Sequence, residues 1–376
     1  MTAPLQTIII KAVSVCNLAC AYCSARCGGQ APRQVRPESV LTVFGELLEN
    51  RRIGHSCKVL WHGGEPTLYD PEKADHIMSR LIAAGKQQDV VFDFIMQTNG
   101  FSIPPAWLEL IDKYRIRIGI SCDGPAPMHD SCRKTAAGAG SYENVMKTVR
   151  SLTGMGIAVS LLCVIDRRQE ESVDAFYAWA AEQKLPVKLN PRFSDDMSPA
   201  DFRKYFDFLC GFLRCYLRGE ADFPVEPLGG LLRAVLNDSP AGECSFSGNC
   251  GKHILCIDHL DRISACGRFS DQNRFVYPIA AGRVAETVDE IRARAGKLLE
   301  ERFARMQCGK CGSFKFCHAG CSAYLDAGNI ASYCEAGGNF RDFMNGEALR
   351  LLKSRLLKER GLLLSQAEQC GGGEIP

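Results

Sequence analysis

Cys16, Cys20 and Cys23 lie in the run Cys16–Asn–Leu–Ala–Cys20–Ala–Tyr–Cys23, a spacing that sets three thiols on one short loop. Three thiolates can bind three corners of a [4Fe–4S] cluster and leave the fourth iron open to a small molecule. A zinc site or unligated core thiols are the alternatives. Cys27 follows four residues after Cys23. A fourth thiolate would close such a cluster, so Cys27 is expected to stand by. A second array occupies the last third of the chain: Cys308–x2–Cys311–x5–Cys317–x3–Cys321, then Cys334, with Cys244–x5–Cys250 and Cys266 upstream. A zinc ribbon would explain two CxxC-like pairs, but not eight cysteines in this order. Cys57, Cys122, Cys132, Cys163, Cys210, Cys215, Cys256 and Cys370 are expected to be buried small apolar residues or inert surface thiols.

Other polar and glycine-rich runs accompany the first cysteines: Gly63–Gly64–Glu65–Pro66, Gln97–Thr98–Asn99–Gly100 and Cys122–Asp123–Gly124–Pro125. Each closely follows an apolar run of strand length. Thr7–Ile10, Lys58–Trp61, Val90–Met96, Arg117–Cys122, Ile157–Ile165 and Val187–Phe193 read as strands. Between them, helical spacing predicts a helix after Pro37 with Val40, Phe44, Leu47 and Leu48 on one face. It predicts others over Asp70–Ala84, Pro105–Lys113, after Ser141 as N-cap, and near Glu170–Gln183. Ile157–Ile165 is almost continuously apolar, as a strand covered on both faces should be. Six strand–helix alternations, the sixth helix least marked, predict an α/β fold with a parallel sheet curved into a partial (β/α)6 TIM-type barrel. Chemistry in such barrels sits at the C-terminal ends of the strands, so these runs should converge on one rim.

From about Ser194 the pattern changes. Helices are predicted near Ala200–Leu217, Pro227–Leu236, Val288–Arg305 and Phe340–Leu357, and a hairpin over Lys252–Arg268 with its turn near Asp258–Arg262. A net charge of +2 gives no bulk attraction for nucleic acid or an acidic membrane. No apolar run is long enough to cross a bilayer, and the first residues lack a basic-then-apolar export signal. Twenty cysteines without an export signal point to metal in a reducing, cytoplasmic setting rather than to disulfides.

The CxxxCxxC run with Tyr22 before its last cysteine, together with the GGEP run, resembles the radical-SAM superfamily. That resemblance implies a [4Fe–4S] cluster on Cys16, Cys20 and Cys23, with the amine and carboxylate of S-adenosylmethionine on the open iron and Tyr22 near the adenine. It implies that main-chain groups of Gly63, Gly64 and Glu65 receive the methionyl ammonium. Asn99 and Ser121 match family positions near the ribose and methionyl part, and Arg133 is a candidate partner for the carboxylate. The distal array resembles the cysteine-rich α+β SPASM domain. By that resemblance Cys244, Cys250, Cys266 and Cys321 hold one auxiliary [4Fe–4S] cluster, and Cys308, Cys311, Cys317 and Cys334 another, making three clusters in all. Asp261 stands where the family usually has glycine five residues before the third of these cysteines, a mild mismatch because aspartate tolerates turns. The expected organisation is a barrel over residues 1–195, a helical linker over 196–240, a SPASM domain over 241–340, and a terminal helix and tail over 341–376.

Members of this family include anaerobic sulfatase maturases and enzymes that crosslink or epimerise ribosomally made peptides. The resemblance implies a precursor peptide as substrate and a reducing partner such as flavodoxin or ferredoxin. It implies a 5′-deoxyadenosyl radical that takes hydrogen from a peptide residue, with the auxiliary clusters as an electron sink. In sulfatase maturases an aspartate that serves as base follows the cysteine equivalent to Cys266; here Gly267–Arg268–Phe269 follows. The CGRF stretch resembles maturases that form cyclophanes, which makes crosslinking the leading expectation. A formylglycine-forming, epimerising or thioether-forming maturase and a non-catalytic iron–sulfur electron carrier are its rivals. The catalytic base is not identified. Because the cysteine motif starts at residue 16, leader recognition is expected to use the barrel mouth, the SPASM surface, the terminal helix or a separate protein.

Overall fold

A computed structural model describes residues 3–25, 31–165, 173–192, 197–219, 222–237, 244–325 and 329–358. Cys27, Cys370 and the start of the helix expected from Glu170 lie outside these residues. The elements run β1 (Leu5–Val13), α1 (Pro37–Glu49), β2 (Ile53–Gly63), α2 (Pro71–Gln88), β3 (Val91–Thr98), α3 (Pro105–Lys113), β4 (Arg117–Ser121), α4 (Ala126–Cys132) and α5 (Tyr142–Gly154). They continue with β5 (Val159–Ile165), α6 (Val173–Gln183), β6 (Val187–Pro191), α7 (Pro199–Arg218), β7 (Val225–Glu226) and α8 (Leu228–Asn237). The remainder is β8 (Ile254–Ile257), β9 (Arg262–Ser264), α9 (Gly267–Asp271), β10 (Val276–Pro278), α10 (Val284–Arg305), α11 (Phe314–Cys317), α12 (Ile330–Ala336) and α13 (Gly338–Phe343). A π-turn over Met344–Ala348 follows α13, and helix resumes from Leu349 to Lys358.

Strands β1 to β7 are parallel and neighbour one another in chain order, the arrangement of the radical-SAM type of partial barrel. The sheet does not end at β1. β8 pairs with it in parallel, Thr7 to Ile10 against Ile254 to Ile257, and β9 and β10 extend the sheet antiparallel. The expected hairpin is β8–β9. Its turn places Asp261 at φ 56°, and Asp258 accepts from the Leu260 and Arg262 N–H groups. The segment expected as a helical linker supplies more than helices: β7 adds a seventh parallel strand to β6, and α7 is the helix that follows β6.

Side chains alternate across the sheet. Ile10, Trp61 and Met96 share one face by register, where Trp61 packs on Tyr69 and on Trp107 of α3. Lys11, His62 and Gln97 are on the opposite, inner face. At the far side α7 joins the two halves of the molecule. Phe208 and Phe212 pack on Phe176 of α6, while Phe202 and Phe206 meet Tyr333, beside Cys334. The Ser141 N-cap of α5 is correct in position but not in chemistry. Its hydroxyl donates to the Arg133 carbonyl, and the Asp130 carboxylate accepts from the Ser141 and Tyr142 N–H groups instead.

Candidate active site

The loop after β1 carries Cys16, Cys20 and Cys23, and it is held from three sides. The Gly64 and Glu65 N–H groups donate to the Val13 and Val15 carbonyls at 2.8 Å each. The approach is so close that a Cβ at Gly64 would lie 2.0 Å from the Val15 oxygen, while Gly63 sits at φ 126°. These glycines therefore seat the cysteine loop, a role additional to the one the sequence suggested. From β3, the Asn99 amide donates to Asn17 Oδ1 at 2.7 Å and to Cys16 Sγ at 3.5 Å. From the loop after α4, the Lys134 and Cys132 carbonyls accept from the Ala19 and Ala21 N–H groups. The predicted convergence on one rim is thus made by direct contacts.

Glu65 is fully buried and clamps two of those loops together. It accepts from the Thr67 and Thr98 hydroxyls, at 2.8 and 2.6 Å, and from the Asn99 N–H at 2.7 Å. Burial raises its carboxyl above the usual range, and these donors pull against that rise. Tyr22 donates its hydroxyl to Asp123, and Arg133 stacks over its ring at 5.4 Å. Arg133 was expected to meet a ligand carboxylate. Its Nε donates to Asp123 at 2.9 Å, and Nη1 approaches Cys20 Sγ at 3.9 Å. The Asp123 carboxylate, supplied by the CDGP turn, thus fixes one edge of the guanidinium. Ser121 ends β4 half-buried, with no hydrogen bond on its hydroxyl among the described residues.

A polar group that the sequence did not single out lies on the inner face beside this loop. Lys11 of β1 is buried and ion-paired with Asp271 of α9, which also accepts from the Ser24 hydroxyl at 3.1 Å. Burial, the largest influence, opposes the lysine's charge, but Asp271, Cys256 and Asp258 together outweigh it and the pKa rises. His62, its register neighbour, is lowered to about 4, chiefly by burial and then by Lys11. Its Nδ1 accepts the Gly63 N–H at 2.7 Å, so the neutral ring carries its proton on Nε2.

The distal cysteines form two neighbourhoods. Cys250 and Cys266 feel Cys321 and Cys244, and burial pushes the Cys250 thiol up to about 12. Cys308, Cys311, Cys317 and Cys334 line one small pocket, open in part to solvent, together with Tyr333 and Arg341. The neighbourhoods group the cysteines as the resemblance to the SPASM domain implies, although Cys317 and Cys321 stand only four residues apart. Cys57, Cys122, Cys132, Cys163, Cys210 and Cys256 are buried, and Cys215 is half-buried.

Residues 10–180 match the family model of the radical SAM superfamily. That stretch is a radical SAM domain. The chain is also similar, 23% identical over 367 residues, to the cysteine-type anaerobic sulfatase-maturating enzyme of Clostridium perfringens, covering 90% of this chain and 96% of that one. Its fold follows the solved structure of native anSMEcpe with bound AdoMet and Cp18Cys peptide, with a TM-score of 0.73 and 22% identity over 94% of this chain and 99% of that one. Streptococcus suis SuiB bound to precursor peptide SuiA is more distant, with a TM-score of 0.56 and 16% identity over 86% and 73% of the two chains.

A radical SAM enzyme uses S-adenosylmethionine and a [4Fe–4S] cluster, and the loop fits both. Burial pushes the Cys20 thiol up to about 11, Arg133 opposing and Cys23 and Cys16 adding to the rise. A metal that takes thiols as thiolates must overcome this cost of burial. Among the described residues no three His, Cys, Asp or Glu side chains close on one point tightly enough for a single metal ion. Cys16, Cys20 and Cys23 lie close enough to influence one another electrostatically, as ligands of one cluster must. Among the described residues no helix is long and apolar enough to cross a membrane.

Proposed function

We propose that this chain is a radical SAM enzyme that modifies a residue of a ribosomally made precursor peptide, joining side chains in a cyclophane-type crosslink. What supports a polypeptide substrate is likeness over nine-tenths of the chain to an enzyme whose solved structure holds a peptide. The substrate is then expected at the barrel mouth, between the cysteine loop and α9. Cys16, Cys20 and Cys23 hold the first cluster. Tyr22, Asn99, Ser121 and the main chain of Gly63, Gly64 and Glu65 surround S-adenosylmethionine, while Arg133 braces Tyr22 and Asp123 from behind. Cys244, Cys250, Cys266 and Cys321 hold one auxiliary cluster; Cys308, Cys311, Cys317 and Cys334 hold the other. Reduced and bound to S-adenosylmethionine, the first cluster supplies a 5′-deoxyadenosyl radical for hydrogen abstraction. The chain's own part is to orient the peptide and to keep water from the inner face, where Lys11, Asp271 and neutral His62 present a fixed polar surface. The setting is cytoplasmic, with a flavodoxin or ferredoxin as electron donor.

Crosslinking is preferred to formylglycine formation because Gly267 offers no carboxylate after Cys266, and Asp271, further along α9, is bound by Lys11. The second reading, a sulfatase-type oxidation of Cys or Ser, draws on the likeness to the clostridial enzyme. Coexpression with the short open reading frame beside the gene separates the two. A crosslink and a Ser-to-formylglycine oxidation each remove two hydrogens, so the peptide is also probed for aldehyde: two hydrogens lost without aldehyde support crosslinking, and aldehyde rejects it. Unchanged mass with altered stereochemistry would favour epimerisation.

A further inference from the structure

We propose that Arg268 raises the reduction potential of the cluster on Cys244, Cys250, Cys266 and Cys321 above that of the cluster on Cys308, Cys311, Cys317 and Cys334. This rests on the two-cluster reading given above. Arg268 enters α9 two residues after Cys266, and its Nη1 donates to Cys321 Sγ at 3.2 Å. A cation beside a cluster, and an N–H group on a ligand sulfur, each stabilise the more electron-rich reduced state. Both raise the potential.

A guanidinium on a ligand sulfur separates the two sites. Arg302 lies near the same thiols but gives its guanidinium to the Ala319, Ser322 and Leu325 carbonyls. Arg341 lines the other pocket, yet it donates to the Cys334 carbonyl at 2.7 Å. Among the described residues, no guanidinium donates to the sulfur of Cys308, Cys311, Cys317 or Cys334. Arg268 is also held in place: its guanidinium stacks 5.7 Å from the Tyr324 ring, and Tyr324 is hydrogen-bonded to Ser24 of the first cysteine loop. Ser24 in turn reaches Asp271, in the same helix as Arg268. A polar strip therefore runs from beside Cys23 to Cys321 with the guanidinium at its end.

The test is a redox titration, followed by electron paramagnetic resonance, of the anaerobically reconstituted full chain without peptide. Wild type, Arg268→Gln and Arg268→Lys are compared, with iron and sulfide counted in each. Arg268→Gln is expected to move one auxiliary midpoint to lower potential and leave the other in place, and Arg268→Lys to move it less because the charge remains. Unmoved midpoints at full iron content overturn the role of Arg268 while leaving the two-cluster reading intact. Wild type without auxiliary iron overturns both. Loss of that cluster's iron from both variants makes Arg268 an assembly residue and overturns the tuning.

Discussion

Lys11 carries a charge into a place where water cannot reach it, and Asp271 is the reason it can. The side chains of the pair are 5% and 12% exposed, so neither ion is solvated when the other is removed. Breaking one partner of a buried pair typically costs about 3–5 kcal/mol. Lys11→Met is expected to lower the unfolding free energy obtained from a urea titration by an amount in that range, and Lys11→Met with Asp271→Leu to recover part of the loss. A double variant no better than the single one would mean that the lysine stem, not its charge, matters. Single residues were unevenly legible in the sequence. The thiols announced themselves by type and spacing, because a cluster constrains neighbours in the chain. The lysine did not, since its partner lies 260 residues away and no local pattern records it. Arg133 was visible as a cation near the right rim, but its bond to Asp123, ten residues upstream, was not, because no local pattern records it.

At the scale of the elements, the cysteine loop depends on how closely the β2 turn can approach it. A methyl group at Gly64 meets the Val15 carbonyl at 2.0 Å, and that carbonyl is backbone, which cannot swing aside. Gly64→Ala should displace the loop and cut S-adenosylmethionine cleavage at least tenfold, equal to about 1.4 kcal/mol. Iron bound by the distal cysteines should stay, so metal analysis alongside the cleavage assay distinguishes local displacement from unfolding. Full cleavage by Gly64→Ala would show that the loop is seated some other way. Strands and helices of the barrel were legible because long apolar periods leave little choice of element. α4 and β7 were not: one is seven residues long, and the other is two residues whose only pairing is with β6. The cap of α5 falls at Ser141 as the sequence places it, but its bonds come from Asp130, eleven residues upstream, which no cap pattern records.

The whole molecule holds two thiol-rich regions that are distinct in chemistry but joined in structure. Their distinctness predicts that Cys16→Ala abolishes S-adenosylmethionine cleavage, whereas Cys308→Ala spares part of it and stops peptide product. Full product from Cys308→Ala would remove the electron-sink role. Their joining carries a different consequence. β8 covers the edge of β1 along Thr7 to Ile10, and α7 buries Phe202 and Phe206 against Tyr333. A chain ending at residue 240 would bare that strand edge, with Ile8, Ile9 and Ile10 in it, and an aromatic face of α7 as well. An unpaired apolar edge is a template for pairing with other chains. Such a chain is therefore expected to elute as large aggregates in size-exclusion chromatography with light scattering, even though it keeps every residue proposed to bind S-adenosylmethionine. A monodisperse, cooperatively melting product would instead mean that the barrel is closed without its C-terminal strands, and the ten-stranded sheet would then be an association of two independent units.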